Sequence, residues 1–106
     1  MDSRYSFDVK DMVAKIELVG RLDATNAQGF QDELKNLSGQ KINRIVFFVK
    51  DLEYISSAGL RAIIFAKQKI GAQANVYLVG AGEAILSVIK MSGLDNFLFI
   101  QETYTE

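Results

Sequence analysis

Ile45-Val46-Phe47-Phe48-Val49-Lys50-Asp51-Leu52-Glu53-Tyr54-Ile55-Ser56-Ser57-Ala58-Gly59-Leu60-Arg61 carries the chain from a strand into a helix. Ile45 to Val49 is an unbroken apolar run of β-branched and aromatic types, which predicts a central strand covered on both faces. A helical pattern follows and predicts a helix over Ala58–Ile70, stopped at Gly71. Ser56 and Ser57 therefore fall where a strand hands over to a helix N-terminus. Free backbone N–H groups and the positive end of the helix dipole favour an anion there. A serine in that place is a helix cap, a nucleophile or a phosphate acceptor.

Upstream, Tyr5, Phe7 and Val9 alternate with polar residues and predict a half-exposed strand. Lys10-Asp11-Met12 reads as a tight turn. Val13 to Val19 is a second strand, with Ala14, Ile16 and Leu18 set against Lys15 and Glu17, and the two form a hairpin. After Gly20-Arg21-Leu22-Asp23, Thr25 or Asn26 can cap a helix that carries Phe30, Leu34 and Leu37 inward. Downstream come a short strand over Val76 to Val79 and a helix over Glu83 to Met91. A last strand over Phe97 to Ile100 and a polar tail follow. The order is β-β-α-β-α-β-α-β. It predicts an α/β fold: a mixed β-sheet with helices packed on it, in one domain over 1–106.

Composition removes most chemistry. The 106 residues carry a net charge of −1 and no basic block or stripe, so nucleic acid is not an expected partner. Cys and His are both absent. That excludes disulfides, thiolate nucleophiles and thiolate zinc sites, and it removes the usual base beside a catalytic serine. No apolar stretch is long enough to span a bilayer, and Met1-Asp2-Ser3-Arg4 lacks the apolar core of a signal peptide. The expectation is a cytoplasmic protein with no membrane partner, no cofactor and no metal.

The remaining candidates each admit a plain structural role. Gly80-Ala81-Gly82 follows a strand and opens a helix, but the third glycine of a dinucleotide loop would fall at Ile85. A glycine turn with Glu83 in the first helical turn explains it better. Asp23 and Asp51 each follow a strand and are expected on one sheet edge near Ser57. There they could do acid–base work or bind Mg²⁺, but turn carboxylates are the better reading. On the helix after Ser57, Gly59, Ala62, Ile63, Ala66 and Ile70 share the side that should face the sheet. Ser57, Arg61, Ile64, Phe65 and Gln68 point away. Large apolar groups among polar ones on that side suggest a partner surface, unless a neighbouring helix covers them. Arg61 lies one helical turn after Ser57, where it could approach a phosphate on that residue, but a solvated surface arginine is the better reading.

The chain resembles the STAS domain family, and within it the bacterial anti-sigma factor antagonists. Gly20-Arg21-Leu22-Asp23 is similar to the family's Gly-x-Leu-Asp. The stretch from Asp51 to Leu60 is similar to its Asp-Leu-x-x-(apolar)-Asp-Ser-Ser-Gly-Leu, and Met91-Ser92-Gly93-Leu94 to its Met-Ser-Gly-Leu. The resemblance implies a non-enzymatic antagonist. It would bind an anti-sigma factor serine kinase, be released on phosphorylation, and be reset by a PP2C-type phosphatase. Ser57 takes the phosphoacceptor position, with Ser56, Ala58, Gly59, Asp23 and Asp51 as its neighbours. Asp23, Arg61, Ile64, Phe65 and Gln68 would meet the partner. Two positions depart from the pattern: Ser56 replaces an Asp and Ala58 replaces the second Ser. Arg61 stands where many relatives carry a small residue. The alternative is a non-phosphorylated adaptor or scaffold of the same fold in a transport or signalling assembly. A small hydrolase or nucleotide-binding enzyme ranks last.

Overall fold

A computed structural model describes residues 4–70, 72 and 74–104. The residues read for a signal peptide before position 4, the helix stop at Gly71 and the end of the polar tail lie outside these. The elements are β1 (Arg4–Lys10), β2 (Val13–Leu22), α1 (Ala27–Lys35), β3 (Arg44–Ile55), α2 (Ser57–Phe65), β4 (Asn75–Val79), α3 (Glu83–Met91) and β5 (Phe99–Gln101). They follow the expected order. One five-stranded sheet runs β1-β2-β3-β4-β5, antiparallel between β1 and β2 and parallel thereafter. The β1–β2 hairpin turns at Asp11 and Met12, whose φ values of 54° and 67° match a two-residue turn with both central residues left-handed.

Strand order equal to chain order decides where the helices go. Parallel crossovers are right-handed as a rule, and each one here steps one strand in the same direction, which puts all three helices on one face. There they share one apolar core with the sheet. α1 contributes Ala27, Phe30 and Leu34, α2 contributes Ala62 and Ile63, and α3 contributes Ile85 and Ile89. From the sheet, Ala14, Ile16, Leu18, Ile45, Phe47 and Val49 meet them, as the period-two pattern requires. Of the predicted inner side of this helix, Gly59, Ala62, Ile63 and Ala66 are buried and Ile70 is half-buried against the core.

Four expectations are corrected. The strand begun at Ile45 does not end before Asp51; it runs on to Ile55. Two register shifts against β2, between Glu17 and Val19 and between Gly20 and Arg21, let extra residues into β3. They turn Leu52 and then Ile55 back to the core side, and a bulged edge of this kind hides the strand in a period-two reading. The helix predicted over Ala58–Ile70 starts one residue earlier, and its last turn, Ala66–Ile70, widens to a π-helix. The strand predicted at Phe97 is a 3₁₀ turn over Leu94–Phe97 followed by strand only from Phe99. The tail read as simply polar carries Tyr104 onto the opposite face of the sheet. Its hydroxyl accepts a hydrogen bond from Arg44 Nη1 at 2.8 Å, and its ring lies edge-on to Phe48 and Tyr77 at 5.9 and 5.8 Å.

Candidate functional site

The site forms where the end of β2 meets the start of α2. Leu22 and Ile55 pair as neighbours at the ends of β2 and β3. The Ser56 amide then donates to the Leu22 carbonyl at 2.9 Å. Ser56 is the N-cap of α2, with extended backbone (φ −91°, ψ 175°). Its hydroxyl accepts from the Gly59 amide at 3.3 Å and its carbonyl from the Leu60 amide at 2.9 Å. Gly59 is the tight point of this junction. A Cβ there would lie 2.8 Å from both the Leu22 carbonyl oxygen and Ile55 Cγ1. The motif glycine thus lets the first turn of α2 sit directly on the end of β2.

The two serines are separated by this geometry. Ser56 spends its hydroxyl on the cap. Ser57, the first residue of α2, is exposed, and its hydroxyl has no hydrogen-bond partner among the described residues. It stands beside the unpaired N–H groups of the helix start. Ala58 is half-buried and Arg61 is exposed on the same helix.

Asp23 closes the neighbouring loop. Its carboxylate accepts from the Thr25 hydroxyl at 2.6 Å and the Thr25 amide at 3.0 Å, and Arg21 Nε lies 3.5 Å away. The Thr25 hydroxyl bond, then its amide bond, holds the Asp23 carboxyl below the usual carboxylate range, and Arg21 adds to this. Asn26 stands at the N-cap of α1 but makes no side-chain cap. Its Nδ2 donates to the Arg21 carbonyl at 2.7 Å and its Oδ1 accepts from the Asp23 amide at 2.8 Å, locking the loop. Asp23 is therefore a turn carboxylate. Asp51 is not at a strand end at all. It pairs with Val19 inside β3, four residues before Ile55, on the order of 10 Å back along the strand. The expected pairing of Asp23 and Asp51 on one edge near Ser57 is corrected by that longer strand. Among the described residues, no cluster of acidic side chains could hold a metal ion.

The predicted partner residues also divide. Arg61 and Gln68 are exposed, whereas Ile64 and Phe65 are half-buried against the core. All four line a groove of about 530 Å³ between α1 and α2, whose other wall is Ala24, Gln28 and Gln31. A helical wheel of α2 alone could not show that α1 covers part of this side. The glycine motif after β4 is a turn: Gly80 takes φ +81° and Ile85 is buried where a dinucleotide loop needs its third glycine.

The family model of the STAS domain matches residues 5–106. The chain belongs to the STAS domain family. Solved structures agree with this STAS fold. An anti-sigma factor antagonist from Mycobacterium paratuberculosis superposes with a TM-score of 0.84 at 20% identity, covering 96% of this chain and 87% of that one. The Bacillus cell fate determinant SpoIIAA in its phosphorylated form gives 0.74 at 17%, covering 97% and 93%. A sulfate transporter family protein from Wolinella succinogenes gives 0.74 at 13%, covering 90% and 80%. No curated protein sequence matches the chain. No helix among the described residues is long and apolar enough to cross a membrane.

Proposed function

We propose that this single STAS domain is a cytoplasmic, non-enzymatic anti-sigma factor antagonist switched at Ser57. It binds an anti-sigma factor serine kinase, so that a sigma factor is released. Phosphorylation of Ser57 breaks the complex and a PP2C-type phosphatase restores it. One observation carries this reading: the cap of α2 is made by Ser56, which leaves the Ser57 hydroxyl exposed and without a hydrogen-bond partner among the described residues. The departure at Ser56 is compatible with it, since serine and aspartate are both preferred N-caps. Several similar structures are anti-sigma factor antagonists, and SpoIIAA is among them in its phosphorylated form.

The switch follows from electrostatics. A phosphate adds nearly two negative charges and several acceptor oxygens. At the first residue of α2 the free N–H groups offset that charge, so the domain stays folded. A partner packed against a small neutral hydroxyl instead meets bulk and charge, and burying that charge unpaired is costly. Binding of the parent, Ser57→Ala and Ser57→Glu to the kinase-type partner tests this. The parent and Ser57→Ala should form a one-to-one complex, and Ser57→Glu should bind at least about tenfold more weakly. Equal binding by all three removes the switch.

The likeness to a sulfate transporter family protein favours one second reading, an unswitched adaptor of the same fold. Intact-mass analysis of protein from the native host, with and without phosphatase, separates the two. A phosphate localised to Ser57 supports the switch, and its absence under all growth conditions supports the adaptor.

A further inference from the structure

Two grooves flank the outer ridge of α2. The first lies between α1 and α2; the second, about 430 Å³, lies between the end of α2 with its π turn and the Ser92–Phe97 segment. Ile64 and Gln68 line both, so the grooves meet across a shared ridge. The second groove has apolar walls from Ile64, Leu94 and Phe97. Phe97 is 61% exposed, a large aromatic area left in water at the rim of a concavity. Among the described residues lining the two grooves, the charged ones are Arg61 and Lys67, and none is acidic. Lys67 Nζ donates to the Ala74 carbonyl at 3.2 Å, which holds its charge at the wall of the second groove. A π-helical turn inside this surface, over Ala66–Ile70, fits a site under functional constraint.

We propose that this double groove docks an acidic amphipathic helix of the protein partner. This rests on the antagonist reading above and extends its partner surface from Ser57 to Phe97. A helix presents rows of side chains at i, i+3, i+4 and i+7, which can straddle a ridge and fill the grooves on either side. Its apolar stripe covers Ile64 and Phe97, and flanking carboxylates face Arg61 and Lys67. Two cations suffice to set the sign of a peptide's flanks, but they fall short of the basic cluster that an anionic membrane surface needs. Nucleic acid is disfavoured for the same reason.

The test uses the full chain and a displayed library of helical peptides of about 14 residues. Stripe positions vary among Leu, Phe, Met and Ala, and flanking positions among Glu, Gln and Lys. Selection should enrich Glu flanks over an apolar stripe. The best peptide should bind about tenfold more weakly to Phe97→Ser and to Arg61→Glu. Its affinity should fall as salt is raised. No enrichment, enrichment of Lys or Gln flanks, unchanged affinity for Phe97→Ser, or self-association of the chain through Phe97 overturns the proposal. The peptides contain no kinase, so these failures leave the Ser57 switch standing. Kinase binding unaffected by Ser57→Glu would remove the switch and leave the groove.

Discussion

Replacing Gly59 by alanine should destabilise the domain, although alanine is the better helix former. The new Cβ would lie 2.8 Å from the Leu22 carbonyl oxygen, 2.8 Å from Ile55 Cγ1 and 3.0 Å from Leu22 Cγ, where ordinary contact begins at 3.4 Å. One of the two nearest obstacles is backbone, and that carbonyl already accepts the Ser56 amide at 2.9 Å. The strand end cannot yield without loosening this bond, so the first turn of α2 must lift. Overpacking of this kind costs about 1–3 kcal/mol. Alanine's helix preference returns less than about 1 kcal/mol in the first turn. The net loss is roughly 1–2 kcal/mol, which lowers Tm by about 5–15 °C in a domain of this size. Gly29→Ala in α1 is the matched control. There the nearest atom is the Tyr5 hydroxyl oxygen at 3.1 Å, the far end of a side chain that can swing aside. Propensity should dominate, so this variant should equal or exceed the parent in stability. Urea denaturation with thermal melts reads both. If Gly59→Ala is as stable as the parent, or the two glycines respond alike, close seating of α2 on β2 is wrong.

The two serines should separate in stability: Ser56→Ala loses the cap and about 1 kcal/mol, while Ser57→Ala stays within about 0.5 kcal/mol of the parent. Equal losses in urea melts would contradict the division of labour between them. Asp23 should titrate, by carboxyl-carbon NMR, below about 3.9, the ordinary aspartate value. Because its folded pKa is lowered, its contribution is present above the unfolded value and is lost as pH falls through the folded one. Thr25→Val should move the midpoint upward, and an unmoved midpoint would deny the Thr25 hydroxyl its part. Tyr104→Ala should cost about 1–3 kcal/mol, because it strips the ring contacts to Phe48 and Tyr77 along with the Arg44 hydrogen bond. Tyr104→Phe keeps the rings and should cost about 1 kcal/mol by the same melts; no loss in either variant would mean the tail does not hold the sheet.

Much of this protein is legible in local pattern. Ala14, Ile16 and Leu18 alternate because a strand's side chains alternate, and the structure buries all three. Gly59, Ala62, Ile63 and Ala66 recur at helical spacing, and they form the inner side of α2. The lack of His and Cys narrowed the chemistry with no structure at all. The motif around Ser57 placed it at a helix start, because strand and helix patterns abut there. What failed was whatever depends on a neighbouring strand or helix. Asp51 looked like a residue beyond a strand because β3's alternation breaks. It breaks because β2 shifts register against it twice, and register belongs to the pair. A wheel of α2 put Ile64 and Phe65 on its outer side and left open whether a neighbour covers them, because it carries no information about α1. Tyr104 looked like part of a polar tail because its partners, Arg44, Phe48 and Tyr77, are distant in sequence.

The choice between Ser56 and Ser57 shows the same division. Both are serines at one helix start, and the sequence alone allows either to cap. The fold decides it by seating α2 on the Leu22 carbonyl. That contact sets the Ser56 backbone extended, turns its hydroxyl to the Gly59 amide, and leaves Ser57 in the first helical position facing water. Sequence therefore determined which residues stand at the junction, because local periodicity marks where strand and helix end. Tertiary structure decided which hydroxyl is free, because that depends on one backbone contact between segments more than thirty residues apart.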